Sequence, residues 1–287
     1  MKMKLTQRLL VRYHLAKLKA IGLVSSRRAA EKAFELFCTP FPSRGYKTPP
    51  VFQKAEKLSF TSEKLHIRGF RWQADHPNGK KILILHGYSS NAYKFERYVS
   101  PLLKEGFAVY IFNAPAHGSS DGKQINAAVY RNMVLEAEKL YGPFYGLIGH
   151  SLGGLAGALA FEKLPDNDLR KLVLIAPATE TQTAISNFFM LLPLDQKIRD
   201  EFPVIIKKIS GQDVPYFSTS RVVQHITAPV LWIHDKQDTV CPYKDVKPLL
   251  KMKLPNVEFI ITDGLGHNNI YKESSTCKAV IQFLITD

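Results

Sequence analysis

Six short apolar runs recur between residues 80 and 267, and segments of helical length separate most of them. The runs are KKILILHG, FAVYIFNAP, FYGLIGHS, KLVLIAP, APVLWIHDKQD and VEFIITDGLGH. Because they are continuously apolar rather than alternating, they indicate strands buried on both faces, as in a parallel sheet covered by helices. Each run ends in polar or glycine residues, at the edge where open α/β sheets bind ligands. The sequence therefore predicts an α/β fold with a mostly parallel, doubly wound sheet.

Other segments are predicted around this sheet. Two pieces with alternating apolar residues, AEKLSFTS and KLHIRGFRW, suit antiparallel strands at its edge. A helical segment from about Lys4 to Phe37 precedes them and stops at the Pro-rich passage CTPFPSRGYKTPP, which cannot continue a helix. We predict three parts: a basic N-terminal segment with its Pro-rich connection over 1–50, a core over 51–178 and 228–287, and an insertion over 179–227.

Positive charge is concentrated at the N-terminal end of the chain. The formal net charge is +14, and residues 1–28 contain eight lysines and arginines and no acidic residue. The remainder is only mildly basic and has no stripe of alternating aromatic residues and arginines, so no nucleic-acid partner is predicted. No apolar stretch reaches the roughly 18 residues of a membrane-spanning helix, and charged residues interrupt every candidate signal-peptide core. We therefore expect a cytoplasmic protein.

The cysteines and the motifs of cofactor sites give no sign of a metal or cofactor. Cys38, Cys241 and Cys277 are widely spaced and odd in number, which favours neither a disulfide framework nor a C-x-x-C metal pair. The chain has no G-x-G-x-x-G after a strand, no G-x-x-x-x-G-K and no H-E-x-x-H. The sequence therefore predicts chemistry by its own side chains.

A serine lies where the third apolar run meets a helical run rich in alanine, leucine and glycine. Gly149-His150-Ser151-Leu152-Gly153 reads G-x-S-x-G, in the strand, turn and helix context that this motif requires. A serine on such a turn has an exposed hydroxyl beside a helix N-terminus, which makes a weak nucleophile accessible. A Gly-rich turn also serves tight packing of a helix on strands, so a base and an acid elsewhere must decide between the two interpretations.

A serine nucleophile needs a base, because its hydroxyl does not ionise at neutral pH, and histidine is the side chain suited to that task. His267 follows the last predicted strand in DGLGHNN, a Gly-rich stretch flexible enough to reach the serine. His86 and His117 are interpreted as hydrogen-bonded within their own turns, and His150 as packing beside the serine. Four carboxylates lie near the relevant strand ends: Asp235, Asp238, Asp245 and Asp263.

Over residues 51–287 the chain resembles the α/β-hydrolase superfamily. The matching segments are HGYSSN, APAHGSSDG, GHSLGG, HDKQDTVCP and GLGHNN, in the family's order. The resemblance implies that Ser151 is the nucleophile, that His267 takes and returns its proton, and that Asp238 orients the imidazole. Asp238 is preferred because DTVCP fits the family's D-x-V-x-P pattern, and Asp235 is its main rival.

The resemblance also implies an oxyanion site. Its donors would be the backbone N–H groups of Tyr88 and Leu152. The residues expected to support the serine turn and the oxyanion loop are His86, Gly87, Gly149, His150 and Gly153. The chain departs from the family's charged D-x-R-G-H-G-x-S loop and reads NAPAHGSS there, which leaves the hydrogen bonding of this loop open.

Residues 179–227 resemble the family's cap, an insertion that roofs the active site and sets specificity. Its apolar side chains would either line an acyl pocket or pack the cap helices together, and the sequence does not separate these alternatives. The candidate pocket residues are Phe188, Phe189, Leu192, Tyr216 and Phe217.

The expected activity is hydrolysis of a small-molecule carboxylic ester, with medium or long acyl esters such as monoglycerides or lysolipids as candidate substrates. The alternative is peptide hydrolysis of the serine-aminopeptidase or proline-iminopeptidase type, which needs a cap carboxylate for the α-amino group. Candidates for that carboxylate are Glu180, Asp195, Asp200, Glu201 and Asp213. A non-catalytic binding protein on this scaffold typically lacks a triad residue, whereas this chain has all three. The oligomeric state stays open.

The basic N-terminal helix has two open interpretations. At 100° per residue, one stripe of the helix is basic and consists of Lys4, Arg8, Arg12 and Lys19. An adjacent face is apolar and consists of Leu10, Val11, Leu15, Leu18 and Ile21. Such a helix can lie on an anionic membrane as a peripheral contact. Alternatively, its apolar face packs on the hydrolase body, together with a second helix over AAEKAFELF.

Overall fold

The computed structural model describes residues 5–41, 47–165 and 169–286. Within these ranges one sheet contains β1 Glu56–Ser62, β2 Leu65–Trp72, β3 Lys81–Leu85, β4 Ala108–Phe112, β5 Gly146–His150, β6 Lys171–Ile175, β7 Val230–Asp235 and β8 Val257–Thr262. The strand order is β1-β2-β4-β3-β5-β6-β7-β8. The pairs β1–β2 and β2–β4 are antiparallel, and the other pairs are parallel. The predicted α/β-hydrolase fold class is confirmed, and each of the six apolar runs contains one strand.

Helices flank this sheet and precede it. They are α1 Leu5–Val24, α2 Ser26–Phe37, α3 Pro50–Gln53, α4 Glu96–Lys104, α5 Ala127–Tyr141, α6 Leu152–Phe161, α7 Thr181–Leu191, α8 Gln196–Ser210, α9 Thr219–Val223, α10 Lys247–Met252, α11 Gly266–Asn269 and α12 Ser274–Ile285. Lys4, where the N-terminal helix was expected to begin, and residues 42–46 of the Pro-rich connection lie outside the described residues.

The strands form a core because helices cover both faces of the sheet. Every residue of β4, β5, β6 and β7 is buried. By contrast, β8 is mostly half-buried although its run is equally apolar. It is the last strand of the sheet, so only one side of it is covered by a neighbouring strand.

The chain divides into two compact units. The helical unit comprises Met1–Thr39 and Glu180–Phe217, and the sheet unit comprises Pro40–Thr179 and Ser218–Asp287. The N-terminal helices and the insertion therefore share one unit, whereas the sequence suggested two separate appendages. Residues 218–227, expected in the insertion, belong to the sheet unit.

Hydrogen bonds account for the earlier end of the insertion. The backbone N–H of Thr219 donates to the carbonyl oxygen of Thr179 at 2.9 Å, and its hydroxyl donates to that of Ala178 at 3.0 Å. These bonds tie the start of α9 to the segment that follows β6. The chain is thus back in the sheet unit ten residues before the predicted boundary.

Aromatic rings hold the helical unit together. On α2, Phe34 lies 5.7 Å from Phe202 of α8, and Phe37 lies 5.3 Å from Phe188 of α7, measured between ring centroids. Phe189 packs on Phe202 at 4.7 Å. This cluster explains why the N-terminal segment groups with the insertion: the second predicted helix docks on α8.

One ion pair joins the same two helices, since Arg27 of α2 contacts Glu201 of α8 at 2.6 Å. The first helix, α1, contributes less to the core of the unit. Leu18 is buried, but Leu10, which the sequence placed on the packing face, is 44% exposed. No helix in the described ranges has both the length and the hydropathy needed to span a membrane.

Candidate active site

Ser151 lies on a strained turn between β5 and α6. Its φ is 55° and its ψ is −123°, a conformation that residues other than glycine rarely adopt. Two backbone hydrogen bonds hold it: Ser151 N–H donates to Ile175 O at 3.2 Å, and Ala178 N–H donates to Ser151 O at 2.9 Å. The strained backbone of Ser151 is therefore held by hydrogen bonds to the end of β6 and to the segment that follows it.

Two glycines permit the close approach of other backbone to this turn. A Cβ at Gly153 would lie 2.5 Å from the carbonyl oxygens of Leu85 and His86, so α6 could not pack on the end of β3 with a larger residue there. A Cβ at Gly87 would lie 2.9 Å from the Cβ of Ser151. The predicted oxyanion loop thus lies directly beside the serine.

Ser151, His267 and Asp238 form one line of hydrogen bonds. Ser151 Oγ lies 3.0 Å from His267 Nε2, and His267 Nδ1 lies 2.8 Å from Asp238 Oδ2. The other carboxylate oxygen, Oδ1, accepts the N–H groups of Val240 and Cys241, each at 2.8 Å. Because all three residues are buried, little water competes for these contacts. A hydroxyl, a base and an acid in this order can generate a nucleophile at neutral pH.

Asp235, the rival acid, has a different set of partners. Its Oδ2 accepts the hydroxyl of Thr262 at 2.7 Å and the N–H of Leu265 at 3.0 Å, and its Oδ1 accepts the N–H of Gln237 at 2.9 Å. Burial by itself would raise the pKa of this carboxyl, but the hydrogen bonds, foremost that from Thr262, lower it to about 2. Asp235 therefore holds the loop that precedes His267 and does not contact the imidazole as Asp238 does.

His150 contacts the backbone of the base. Its Nε2 lies 3.1 Å from the carbonyl oxygen of His267, so Nε2–H donates this bond. Its ring packs against those of His267 and Tyr271, with centroid separations of 4.7 and 4.5 Å. Burial lowers its pKa well below the usual value, and His267 lowers it further, so the ring stays neutral. Its Nδ1 has no hydrogen-bond partner among the described residues.

His86 and His117 link the oxyanion loop to the loop that follows β4. His86 Nε2 accepts the N–H of Ala114 at 3.0 Å, and His117 Nε2 accepts the N–H of Ser89 at 2.9 Å. Their Nδ1 atoms bond carbonyl oxygens in their own turns, as the sequence suggested. Burial lowers the pKa of both rings, that of His86 to about 3. Two neutral imidazoles therefore hold the loop on either side of Tyr88.

Leu152, Tyr88 and Gly149 are the other residues predicted to form or support the oxyanion site. Leu152 is the first residue of α6, and the first N–H groups of a helix have no intrahelical acceptor. Tyr88 follows Gly87, and its ring is 6.0 Å from that of His117. Gly149 pairs with Leu174 within the sheet, one residue before the end of β5.

An arginine of a neighbouring strand contacts the loop that follows β4, which contains the uncharged stretch NAPAHGSS. Arg68 of β2 donates to the carbonyl of Ser119 and pairs with Asp121 at 3.0 Å. Within the loop, Asn113 Oδ1 accepts the N–H of Ala92 at 3.1 Å. An arginine outside the motif thus supplies hydrogen bonds to this loop, whose hydrogen bonding could not be predicted from the sequence.

Two residues next to the site were not singled out from the sequence. Cys241 has a side chain within hydrogen-bonding reach of Ser151, and burial raises the pKa of its thiol. His234 contacts the carbonyl oxygen of Cys241 through Nε2 at 2.8 Å. Both lie in HDKQDTVC, the segment that supplies Asp238, but no spacing rule indicates which of its side chains faces the serine.

The predicted pocket residues lie in the helical unit or at its end. Phe189, Leu192 and Phe217 are buried, whereas Phe188 and Tyr216 are partly exposed. Phe188 and Phe189 belong to the aromatic cluster on α8, which accounts for them by helix packing. Among the described residues, no group of three or more His, Cys, Asp or Glu side chains is arranged to hold a metal ion.

Comparison with known proteins agrees with this fold. Residues 76–212 match the family model described as serine aminopeptidase, S33. The Pyrococcus furiosus esterase Pf2001 superposes with a TM-score of 0.63 at 22% identity, covering 85% of this chain and 98% of that one. The fold of this chain is thus that of the α/β hydrolases.

Two curated relatives extend this comparison. A Mycoplasma genitalium protein named as an esterase/lipase is 24% identical over 222 residues, which cover 65% of this chain and 82% of that protein. The Bacillus subtilis protein YqkD, described as uncharacterised, is 25% identical over 288 residues, covering 92% and 91% of the two chains. The likeness thus extends over most of the chain.

Proposed function

We propose that the protein is a serine-dependent hydrolase of carboxylic esters. The observation that supports this most directly is the line of hydrogen bonds from Asp238 through His267 to Ser151, at 2.8 and 3.0 Å. The esterase names of the Pyrococcus and Mycoplasma proteins favour the same class.

In the first half of the reaction, Ser151 Oγ attacks the ester carbonyl carbon while its proton passes to His267 Nε2. Asp238 keeps the imidazole in the Nδ1–H tautomer and stabilises the imidazolium. The carbonyl oxygen becomes negative and accepts the N–H groups of Tyr88 and Leu152. Collapse of this intermediate breaks the bond to the alcohol oxygen, which takes the proton from His267, and leaves an acyl-serine.

In the second half, water replaces the alcohol. His267 removes a proton from the water as its oxygen attacks the acyl carbon, and the tetrahedral intermediate uses the same N–H donors. Breaking the bond between the acyl carbon and Ser151 Oγ releases the carboxylic acid, and the proton on His267 returns to the serine. Overall, one ester and one water give one acid and one alcohol, and no cofactor is consumed.

Ester hydrolysis is favoured over aminopeptidase activity because most candidate carboxylates of the insertion already contact other side chains. Glu201 is paired with Arg27 at 2.6 Å, and Asp213 with Lys207 at 3.1 Å. Asp200 accepts a hydrogen bond from Gln196 at 2.7 Å. Three of the five candidates for binding an α-amino group thus already have partners within the helical unit.

Medium or long acyl esters are the substrate class that we propose, with monoglycerides and lysolipids as examples. The insertion between β6 and β7 is rich in apolar residues and occupies the position of the family's cap. The candidate acyl-binding residues are the buried members of the predicted pocket set, Phe189, Leu192 and Phe217.

The proposal is tested by assaying a graded set of p-nitrophenyl esters, from acetate to palmitate, beside aminoacyl-naphthylamides. We expect ester turnover with a maximum at an intermediate or long acyl chain and little turnover of the amides. Ser151→Ala should abolish turnover, whereas Ser100→Ala, at an exposed serine of α4, should leave it unchanged.

Other results would redirect or reject the proposal. Preference for the aminoacyl-naphthylamides would assign the protein to the peptidase class. Equal rates for Ser151→Ala and the wild type would exclude Ser151 as the nucleophile for either substrate.

A further inference from the structure

The helical unit exposes more large apolar side chains than the sheet unit. Among the described residues, it holds ten of the sixteen that are exposed, although it contains less than a third of the chain. Six of the ten are on α1: Leu5, Leu9, Leu10, Tyr13, Leu23 and Val24. Single exposed apolar residues are ordinary, but a contiguous group of them marks an interaction surface.

On α1 these residues form a continuous stripe, which we call the outer stripe. It consists of Leu5, Leu9, Tyr13, Ala16, Ala20 and Leu23, which are spaced three or four residues apart and are all exposed. Leu5, Leu9, Tyr13 and Leu23 are 72, 55, 60 and 90% exposed. Residues at this spacing share one face of a helix.

A different face of α1 packs within the helical unit. Leu18 is 3% exposed, and Gly22 lies so close to α8 that a Cβ there would be 3.0 Å from Ile198 Cδ1. This packed face includes most of the residues that the sequence analysis considered for membrane contact. The outer stripe is therefore a second apolar surface, and packing within the unit leaves it uncovered.

The charges beside the outer stripe indicate what would cover it. Arg8, Arg12 and Lys19 border it on one side and Lys17 on the other, and α1 contains no acidic residue. A second copy of the chain would bring an identical set of cations to the surface. An anionic surface with an apolar interior instead complements both the charges and the stripe.

We propose that α1 binds the surface of an anionic lipid bilayer, with the outer stripe inserted among the acyl chains and its basic borders at the headgroups. The helix has 20 residues and lies in the membrane plane. This proposal rests on the exposure and charge of α1 and is independent of the reaction at Ser151. It would place the protein at a lipid surface whether or not its substrate is a lipid ester.

Flotation of the full-length protein with vesicles tests the proposal. We expect binding to phosphatidylcholine vesicles containing phosphatidylglycerol, weakening as salt is raised, and much less binding to phosphatidylcholine alone. Arg8→Gln with Arg12→Gln should weaken binding roughly 25-fold, from about fivefold for each cation near the surface. Lys104→Gln with Lys251→Gln removes the same charge from exposed positions of the sheet unit and should change binding much less.

The apolar part is tested by Leu9→Ser with Leu23→Ser, which should also reduce binding at least tenfold. Thermal unfolding followed by circular dichroism serves as the folding control and should be the same in all variants. Absence of binding to anionic vesicles at low salt, or unchanged binding of the Leu9 and Leu23 variant, would overturn the proposal. Self-association that this variant removes, without vesicle binding by the wild type, would assign the outer stripe to a second copy instead.

Discussion

The two units of this chain differ in their exceptions to the usual rule that polar residues are exposed and apolar residues are buried. The sheet unit buries charged and polar groups, among them Asp235, Asp238 and His150, and satisfies almost all of them with hydrogen bonds. The helical unit does the reverse, because it exposes large apolar side chains such as Leu23 and Met190. Buried polar groups and exposed apolar groups are the informative exceptions in a folded protein. The comparison suggests chemistry in the first unit and binding in the second.

The largest effect is expected at the acid of the site. Asp238→Asn should lower kcat about 10⁴-fold, because an amide cannot hold the imidazole in the required tautomer, as in the serine-protease precedent. Asp235→Asn, at a second buried carboxylate in the same segment, should cost much less. Steady-state kinetics with one soluble ester measures both. The reverse ranking would transfer the acid role to Asp235.

The helical unit should respond to a change in its aromatic cluster with a loss of stability. Phe202 contacts rings from α2 and α7, so Phe202→Ala should lower the free energy of unfolding by about 3–5 kcal/mol. The exposed Leu9→Ser should change it by less than about 0.5 kcal/mol. Denaturant unfolding gives both values. Similar losses for the two variants would mean that the outer stripe is packed in solution.

A smaller effect on the rate is expected at His150, which we interpret as positioning the backbone of His267. His150→Phe keeps the ring but loses the hydrogen bond to the His267 carbonyl, and should lower kcat about 10- to 100-fold with little change in KM. His150→Gln can restore an N–H donor and should recover most of the rate. Equal losses in both variants, with reduced thermal stability, would indicate a packing role only.

The smallest effect concerns stability in acid. The pKa of Asp235 is lowered to about 2 in the folded protein, below the value of about 3.9 in an unfolded chain. Its stabilising contribution is therefore present above about pH 4 and is lost as the pH falls towards 2. Asp235→Asn should lower stability at pH 6 and reduce its fall between pH 4 and pH 2. Parallel pH profiles for variant and wild type would contradict this assignment.

The sequence was most informative where local patterns determine structure. Continuous apolar runs predicted the strands, and the Gly-rich turn placed Ser151 at the end of β5. His267 and Asp238 were named from loops and a resemblance, and the structure brings His267 to the serine and Asp238 to His267.

Contacts between distant segments could not be predicted in this way. The docking of α2 on α8 depends on Phe34 and Phe202, which no periodicity relates. The different partners of Asp235 and Asp238 depend on side-chain directions within one short loop. The outer stripe of α1 has the same ambiguity, because a helix with apolar residues on two faces does not reveal from its sequence which face is packed.

Mapping of a covalent label tests the central claim most directly. The wild-type protein is treated with a fluorophosphonate at neutral pH, digested and analysed by mass spectrometry, with His267→Ala and heat-denatured protein as controls. We predict one modified residue, Ser151, with labelling strongly reduced in both controls. Modification at another serine, together with full ester hydrolysis by Ser151→Ala, would contradict the proposed site.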